Sequence, residues 1–408
     1  RLLQLHPKSV DLSLDRIKRL LNNLNNPEKK INNAIQVVGT NGKHSFCSTL
    51  REILETAGYT VNLNISPSLR KFNERYYFSG KYISDDKLYD LLIEVEKINQ
   101  GKNITFHEFI CACFFLEASR NKSDINILES GLFFRLDASN VLEKNIASVI
   151  MPIGMDHKDF LKEGTIDEIV YEKCSHLLGG SKIVVSEQKN NVLEKIKKNI
   201  ASNSSEKFFF GKNYDYEKNS KGFIYKDKLG KINLPLPNLL GDFQISNVST
   251  AIAVARNLDQ FNLTEIHIKK AITKIRSEGR LQSITRGKLR KYVSKNNQIL
   301  IDGAHNSLAA LAIKKYLETL DAKRKIIMVL GMMANKEHKK FIQIFKNKVH
   351  SIITLDIPNQ INFIEKEKLS KIAKSCGISS KTENSIKTAL KNIAKENNDA
   401  IIFCTGSL

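Results

Sequence analysis

The chain has no tryptophan, seven prolines in 408 residues, and acidic residues well outnumbered by basic ones. Its six cysteines, Cys47, Cys111, Cys113, Cys174, Cys376 and Cys404, form no CxxC pair, so neither a zinc site nor a disulfide framework is indicated, and reduced, buried thiols are expected. Long hydrophobic runs are missing too. The most apolar stretch, Phe109 to Leu116, is too short to cross a bilayer, and Arg1 to Leu12 lacks the apolar core of a signal peptide, so the reading is cytoplasmic, with no membrane partner. The ends read as trimmed, with no initiator Met and a stop at Leu408.

What is abundant is lysine. A net charge of +21 invites a nucleic-acid reading, yet the lysines are spread among Asn, Ile and Glu with no basic block and no aromatic-interleaved stripe. We therefore expect no nucleic-acid partner, and a general attraction for anionic small molecules. At this length, with 41% apolar residues, two or three domains are expected.

Strand-like and helical runs alternate through residue 190, an α/β rhythm. Strands are expected at Ile35–Val38, Val61–Ile65, Asp124–Leu128, Ala147–Ile153 and Lys182–Ser186, with a helix over Phe106–Ala118. Thr165 with Glu168 three residues on forms a capping box for another helix, which places Glu172 and Lys173 in its later turns. From Phe208 to Leu236, short alternating segments with Gly222 and Gly230 predict an inserted β-hairpin region. Helices follow over Ser246–Leu258 and Thr264–Arg276. A second α/β series begins near Gln298, and the boundary falls between Gly279 and Lys288.

The most informative segment is Gly39-Thr40-Asn41-Gly42-Lys43-His44-Ser45. It lies between a β-branched run and an amphipathic helix carrying Phe46, Leu50, Ile53 and Leu54, with Gly58 as its C′ residue. Such a turn offers helix-start amides, a close-approach glycine and a lysine to a phosphate. It departs from the strict P-loop, having Val37 where the first glycine would stand and His44 directly after the lysine.

Ligands of open parallel sheets bind beyond the carboxyl ends of strands. Five polar stretches occupy such positions: Gly39–Ser45, Ser66, Glu129, Asp156–His157 and Asp302–Asn306. With a nucleotide's phosphates, Ser45, Ser66, Glu129 and His157 could hold Mg²⁺, which takes few protein ligands plus phosphate and water.

The chain resembles the folylpolyglutamate synthase/dihydrofolate synthase family, a branch of the Mur-type ATP-dependent amide ligases. The resemblance rests on ordered stretches over nearly the whole length: Leu12–Arg16 (LSLDR), Gly39–Ser45, Ser66–Arg75 (SPSLRKFNER), Thr105–Phe109, Glu129–Asn140 (ESGLFFRLDASN), Gly154–His157 (GMDH), Glu172-Lys173, Gly241–Asn247 (GDFQISN), Gly279–Leu281 (GRL), Asp302–Asn306 (DGAHN) and Thr405–Leu408 (TGSL).

The resemblance implies a Mur-ligase-like P-loop ATPase domain with a parallel-rich sheet over residues 1–281, and a smaller Rossmann-like α/β glutamate-ligase domain over 282–408. It implies an ATP- and Mg²⁺-dependent enzyme of folate biosynthesis that adds L-glutamate to dihydropteroate, to folates or to both through an acyl phosphate, acting as a monomer. By the same resemblance, Gly39 to Ser45, Asn247, Arg280, Asp302 and His305 contact ATP. Lys43, Glu129, His157 and Lys173 serve catalysis; Ser66 and Glu129 hold one Mg²⁺, and His157 and Lys173 a second. Lys173 corresponds to a carbamoylated lysine, and Arg16, Phe106, Arg135 and Asp137 fall where relatives hold the pterin. Domain closure would complete the site.

The chain departs from the family pattern at His44 and at the pair Phe133-Phe134, both glycine positions in relatives, and at Ser68, Cys174-Ser175 and Asn335. Two alternatives stay open: a Mur-type ligase for another carboxylate, and a non-catalytic nucleotide-binding relative.

Overall fold

A computed structural model describes residues 11–406 and divides them into two packed units. The first comprises residues up to Asn238 together with Gln244–Arg276; the second comprises Leu239–Phe243 and the chain from Ser277 onward.

In chain order the first unit contains α1 (Asp15–Asn23), β1 (Ala34–Val38), α2 (Lys43–Thr56), β2 (Val61–Asn64), β3 (Tyr76–Phe78), β4 (Lys81–Tyr82), α3 (Asp85–Asn99) and α4 (Phe106–Arg120). It continues with β5 (Ile125–Glu129), β6 (Ala147–Ile150), α5 (Ile166–Cys174), β7 (Lys182–Val185), α6 (Asn190–Asn199) and β8 (Glu206–Phe209). Last come β9 (Tyr214–Lys218), β10 (Gly222–Asp227), β11 (Gly230–Pro235), α7 (Asp242–Arg256, in this unit from Gln244 on) and α8 (Glu265–Ile272).

The main sheet has the order β4-β3-β2-β5-β1-β6-β7-β8. Six neighbouring strands from β2 to β8 run parallel, and β3 and β4 add an antiparallel edge. The central strands are buried along their whole length, as expected where helices cover both faces of a parallel sheet. Apolar side chains of the sheet pack in two clusters, one with α1, α3 and α4 and another with α5 and α6.

Local signals explain where helices begin and end. Thr165 caps α5 as expected: its hydroxyl accepts from Glu168 N while Glu168 returns a bond to Thr165 N. Gly58 takes φ +90° at the C′ position of α2, with Tyr59 N donating to Leu54 O at 3.0 Å and Gly58 N to Glu55 O at 3.0 Å. That is a Schellman motif, which satisfies carbonyls the helix ladder leaves over.

The expected β insertion is smaller than read, because β8 joins the main sheet and only β9, β10 and β11 form the separate antiparallel meander. Strands β3 and β4 went unseen, their short runs being stabilised by pairing rather than by periodicity. The meander is fastened to α7 by a buried ion pair: Arg256 donates to both oxygens of Asp227, at 2.6 and 2.9 Å.

The second unit contains β12 (Gln282–Ser283), β13 (Gln298–Ile301), α9 (Ser307–Glu318), β14 (Ile326–Gly331), α10 (His338–Ile344), β15 (Ser351–Thr354), α11 (Lys366–Ser375), β16 (Ser379–Thr382), α12 (Ile386–Glu396) and β17 (Ile401–Gly406). Its sheet runs β12-β13-β17-β14-β15-β16, parallel except for β12. Among the described residues, no helix is long and apolar enough to cross a membrane.

Removing one partner of a buried pair strands the other charge. Asp227→Ala should therefore lower the unfolding free energy by about 3–5 kcal/mol, measured by denaturant titration.

Candidate active site

Register brings four of the five polar loops to one edge. Strand β1 pairs with β5 through Val37 opposite Glu129, and with β6 through Val38 opposite Ile150. On the far side of β5, Asn64 of β2 stands opposite Leu128. The loops that start at Gly39, Ser66, Glu129 and beyond Ile150 therefore leave the sheet side by side. The fifth, Asp302–Asn306, leaves the carboxyl end of β13 in the second sheet.

The turn after β1 has no room for a side chain at its glycines. Gly39 has φ +145°, and a Cβ there would lie 2.7 Å from Met151 Cβ. Gly42 has φ +82°, and its Cβ would lie 2.5 Å from Asn247 Oδ1. Asn247 of α7 is thereby placed against the turn, its amide donating to Gln244 Oε1 at 3.0 Å. The strained angles fall on the two glycines and not on His44, which is the second residue of α2 and tolerates a side chain.

Two of the turn's amides are already committed. Thr40 N and Asn41 N donate to Pro152 O at 2.9 and 3.1 Å, and Thr40 Oγ1 bonds with Gly154, so the turn is stapled to the loop after β6. An anion would meet the first turn of α2, with Lys43 and Ser45 on it.

Lys43 Nζ folds back to donate to Gly39 O at 3.0 Å, and Lys173 Nζ, from α5, donates to the same oxygen at 3.0 Å. The two nitrogens thus share one acceptor. Lys173 also donates to Leu132 O and lies 5.4 Å from the Phe133 ring centroid. Burial, with the Lys43 charge adding to it, brings the Lys173 pKa down to about 7.

Glu129 and Ser66 meet directly: Ser66 N donates to Glu129 Oε2 at 3.1 Å, and the carboxylate is buried. His157 takes φ +54°, with its ring nitrogen 3.8 Å from Asp156 Oδ2 and its ring 6.4 Å from that of Phe133. Among the described residues there is no group of three or more His, Cys, Asp and Glu able to hold a metal. The donor set fits a hard cation only in company with phosphate and water oxygens, the habit of Mg²⁺.

Both phenylalanines at the glycine-pair position are buried. Phe134 packs with Val38, Ile150, Ile169 and Val170, while the Phe133 ring lies 6.4 Å from that of His157 and 5.4 Å from Lys173 Nζ. The backbone after them hangs on α5, with Phe134 N and Arg135 N donating to Glu172 O at 3.0 and 2.8 Å.

The residues read as pterin contacts already hold partners. Arg16 bonds Glu108 at 2.9 and 3.0 Å, and Arg135 pairs with Glu172 at 2.9 Å. Asp137 accepts from Gly131 N, Ser139 N and Ser139 Oγ at 2.9, 2.9 and 2.6 Å, and faces His107 Nε2 at 3.3 Å. Burial works to raise the Asp137 pKa, but His107 and Ser139 hold it below the ordinary value. Phe106 is the first residue of α4, buried edge-to-face against Phe72. The sequence reading overlooked His107; its place one residue after Phe106 was the available signal.

In the second unit, Leu281 N donates to Asp302 Oδ2 at 2.6 Å, and Arg280 Nη1 reaches Gly279 O at 3.3 Å. Burial pushes Asp302 up to about 6, against the pull of Arg280. His305 Nδ1 bonds Gly303 O at 2.8 Å, and Asn306 caps α9 through Ala309 N.

Gly39→Ala would combine a disfavoured φ with the Met151 clash. It should cost roughly 2–4 kcal/mol of stability in denaturant unfolding.

The Mur ligase middle domain matches residues 37–255, and the Mur ligase glutamate ligase domain matches 285–408. The dihydrofolate synthase/folylpolyglutamate synthase of Buchnera aphidicola (from Schizaphis graminum) is 30% identical over 345 residues, covering 81% of this chain and 76% of that protein. Of solved structures, E. coli FolC in complex with DHPP and ADP superimposes with a TM-score of 0.87 at 24% identity, covering 100% of this chain and 93% of that one. The bifunctional enzyme of Yersinia pestis complexed with AMPPNP and Mn ion gives 0.86 at 23% identity, again covering 100% and 93%. The chain belongs to the dihydrofolate synthase/folylpolyglutamate synthase family of Mur ligases.

Proposed function

We propose that this chain is an acid–amino-acid ligase that uses ATP and a divalent cation to join L-glutamate to dihydropteroate, to folates or to both. The observation that carries the reading is the convergence at Gly39. The carbonyl of Gly39, just beyond β1, gathers Lys43 and Lys173 beside the phosphate turn, one strand away from the Ser66–Glu129 pair. Cations and a metal-competent carboxylate beside a helix start suit phosphoryl transfer, where positioning and charge stabilisation do most of the work.

In this reading the α2 first turn and Lys43 hold the nucleotide phosphates. Asn247, Arg280, Asp302 and His305 are carried over as further nucleotide contacts. Ser66 and Glu129 would hold one Mg²⁺, and His157 with Lys173 a second; such cations would supply charge neutralisation for the transferring group. Arg16, Phe106, Arg135 and Asp137 border the acid's site. The acid's carboxylate oxygen attacks the γ-phosphorus and ADP leaves. The amine of glutamate then attacks the acyl carbon, a C–N bond forms, phosphate departs with the C–O bond's electrons, and the amine's proton goes to solvent.

Lys173 would serve the second cation site as its carbamate. An ammonium would repel the ion, whereas a buried amine with a pKa of about 7 becomes increasingly neutral above that pH and can then take up CO₂. Below pH 7 the protonated form dominates and cannot react. Activity should therefore fall as the pH drops through 7 in bicarbonate-depleted buffer, and added bicarbonate should restore it. A carbamate carbon signal in ¹³C NMR with labelled bicarbonate is the direct check; its absence, with activity indifferent to bicarbonate, rejects the modification.

The function is tested by phosphate release with ATP, Mg²⁺ and glutamate, using dihydropteroate and tetrahydrofolate in turn as the acid. Release should require all components. Lys173→Ala and Glu129→Gln should each lower kcat by roughly 10²-fold or more. Absence of release with either acid would reject the reading.

A further inference from the structure

Arg75 stands at the rim of the site, beside the Ser66–Glu129 pair. It ends a short 3-10 turn, Phe72–Arg75, and its carbonyl accepts from Ile65 N at 3.1 Å, which fixes it opposite the end of β2. Its side chain reaches Ser66: Nη1 donates to Ser66 Oγ at 3.3 Å, the same residue whose amide binds Glu129. The guanidinium lies 5.3 Å from the Phe72 ring centroid, which leaves its edge for hydrogen bonding.

That edge is under-used. Among the described residues, Arg75 Nε is buried with no hydrogen-bond partner, although a guanidinium stays charged at any physiological pH and carries five donors. Burying an incompletely bonded charge is costly, and in a site the missing partner is commonly the ligand. A second buried atom without a partner, Ser130 Oγ, belongs to the residue after Glu129. Arg16 and Arg135 of the same unit are paired with carboxylates, Arg16 with Glu108 and Arg135 with Glu172.

We propose that Arg75 contacts substrate, its guanidinium receiving an oxyanion at the Ser66–Glu129 rim. The oxyanion is a phosphoryl oxygen of the nucleotide or the carboxylate of the acid being activated. This rests on the ligase reading above. Once Glu129 is engaged by a cation, Arg75 is left to balance the negative charge that passes from nucleotide to acid.

The test compares wild type, Arg75→Ala and Arg75→Lys in phosphate release, with calorimetric binding of MgADP and MgAMPPNP and with thermal melting. Arg75→Ala should keep the melting temperature and the MgADP affinity, lose roughly 10²–10³-fold in kcat, and recover about tenfold or more with free guanidinium ion. A weakened MgAMPPNP affinity at unchanged MgADP affinity assigns the oxyanion to the nucleotide. A raised KM for the acid alone assigns it to the carboxylate.

The proposal is overturned if kcat stays within about threefold of wild type, or if melting temperature, MgADP affinity and kcat fall together without guanidinium rescue. Should the alanine variant fail to fold, Arg75→Gln is judged by the same criteria. A wild type with no ATP-dependent phosphate release would reject the ligase reading instead, and the MgAMPPNP-against-MgADP comparison would still decide whether Arg75 meets a phosphoryl group.

Discussion

The carbonyl oxygen of Gly39 is the point on which the rest of the first unit's site depends. It accepts from two lysines that come from different helices, at 3.0 Å each. Lysines of like charge do not gather without a common acceptor, and a carbonyl at a strand end can supply one because its own strand ladder has stopped. Gly39 must be glycine for this to happen, since Met151 closes over its Cα and any Cβ would strike it. One backbone position thus ties the phosphate turn, α5 and the loop after β6 together.

Around that point, much of the polar chemistry is spent on holding the loops. Thr40 and Asn41 are stapled to Pro152, and residues Phe134 and Arg135 to Glu172. Asp137 gathers three donors from its own loop. The aromatic pair Phe133-Phe134, which replaces glycines of relatives, is absorbed by packing: Phe134 joins the core with α5, and Phe133 lies beside His157 and Lys173. Lys173 is accordingly held in a dry setting, which is the cause of its depressed pKa.

Much of this was legible in the sequence. The turn at Gly39–Ser45, the cap at Thr165 and the stop at Gly58 are local features, governed by residues three or four positions apart, and the structure forms them as expected. The parallel sheets follow from buried β-branched runs alternating with helical ones. What went unseen depends on partners distant in the chain. Strands β3 and β4 are too short to carry a period and exist because β2 offers an edge. Strand β8 was assigned to the insertion because nothing within its four residues says that β7 will be its neighbour.

The sequence alone determined the kinds of groups at the site, since glycine, lysine and carboxylate positions are set by spacing and by where apolar runs end. Tertiary structure decided which of them meet. That Lys43 and Lys173 share one oxygen across 130 residues of chain, that Ser66 bonds Glu129, and that Arg75 keeps a buried donor without a partner are matters of strand order and register. Those are set by how several buried faces pack at once, a global condition that no local stretch of residues encodes.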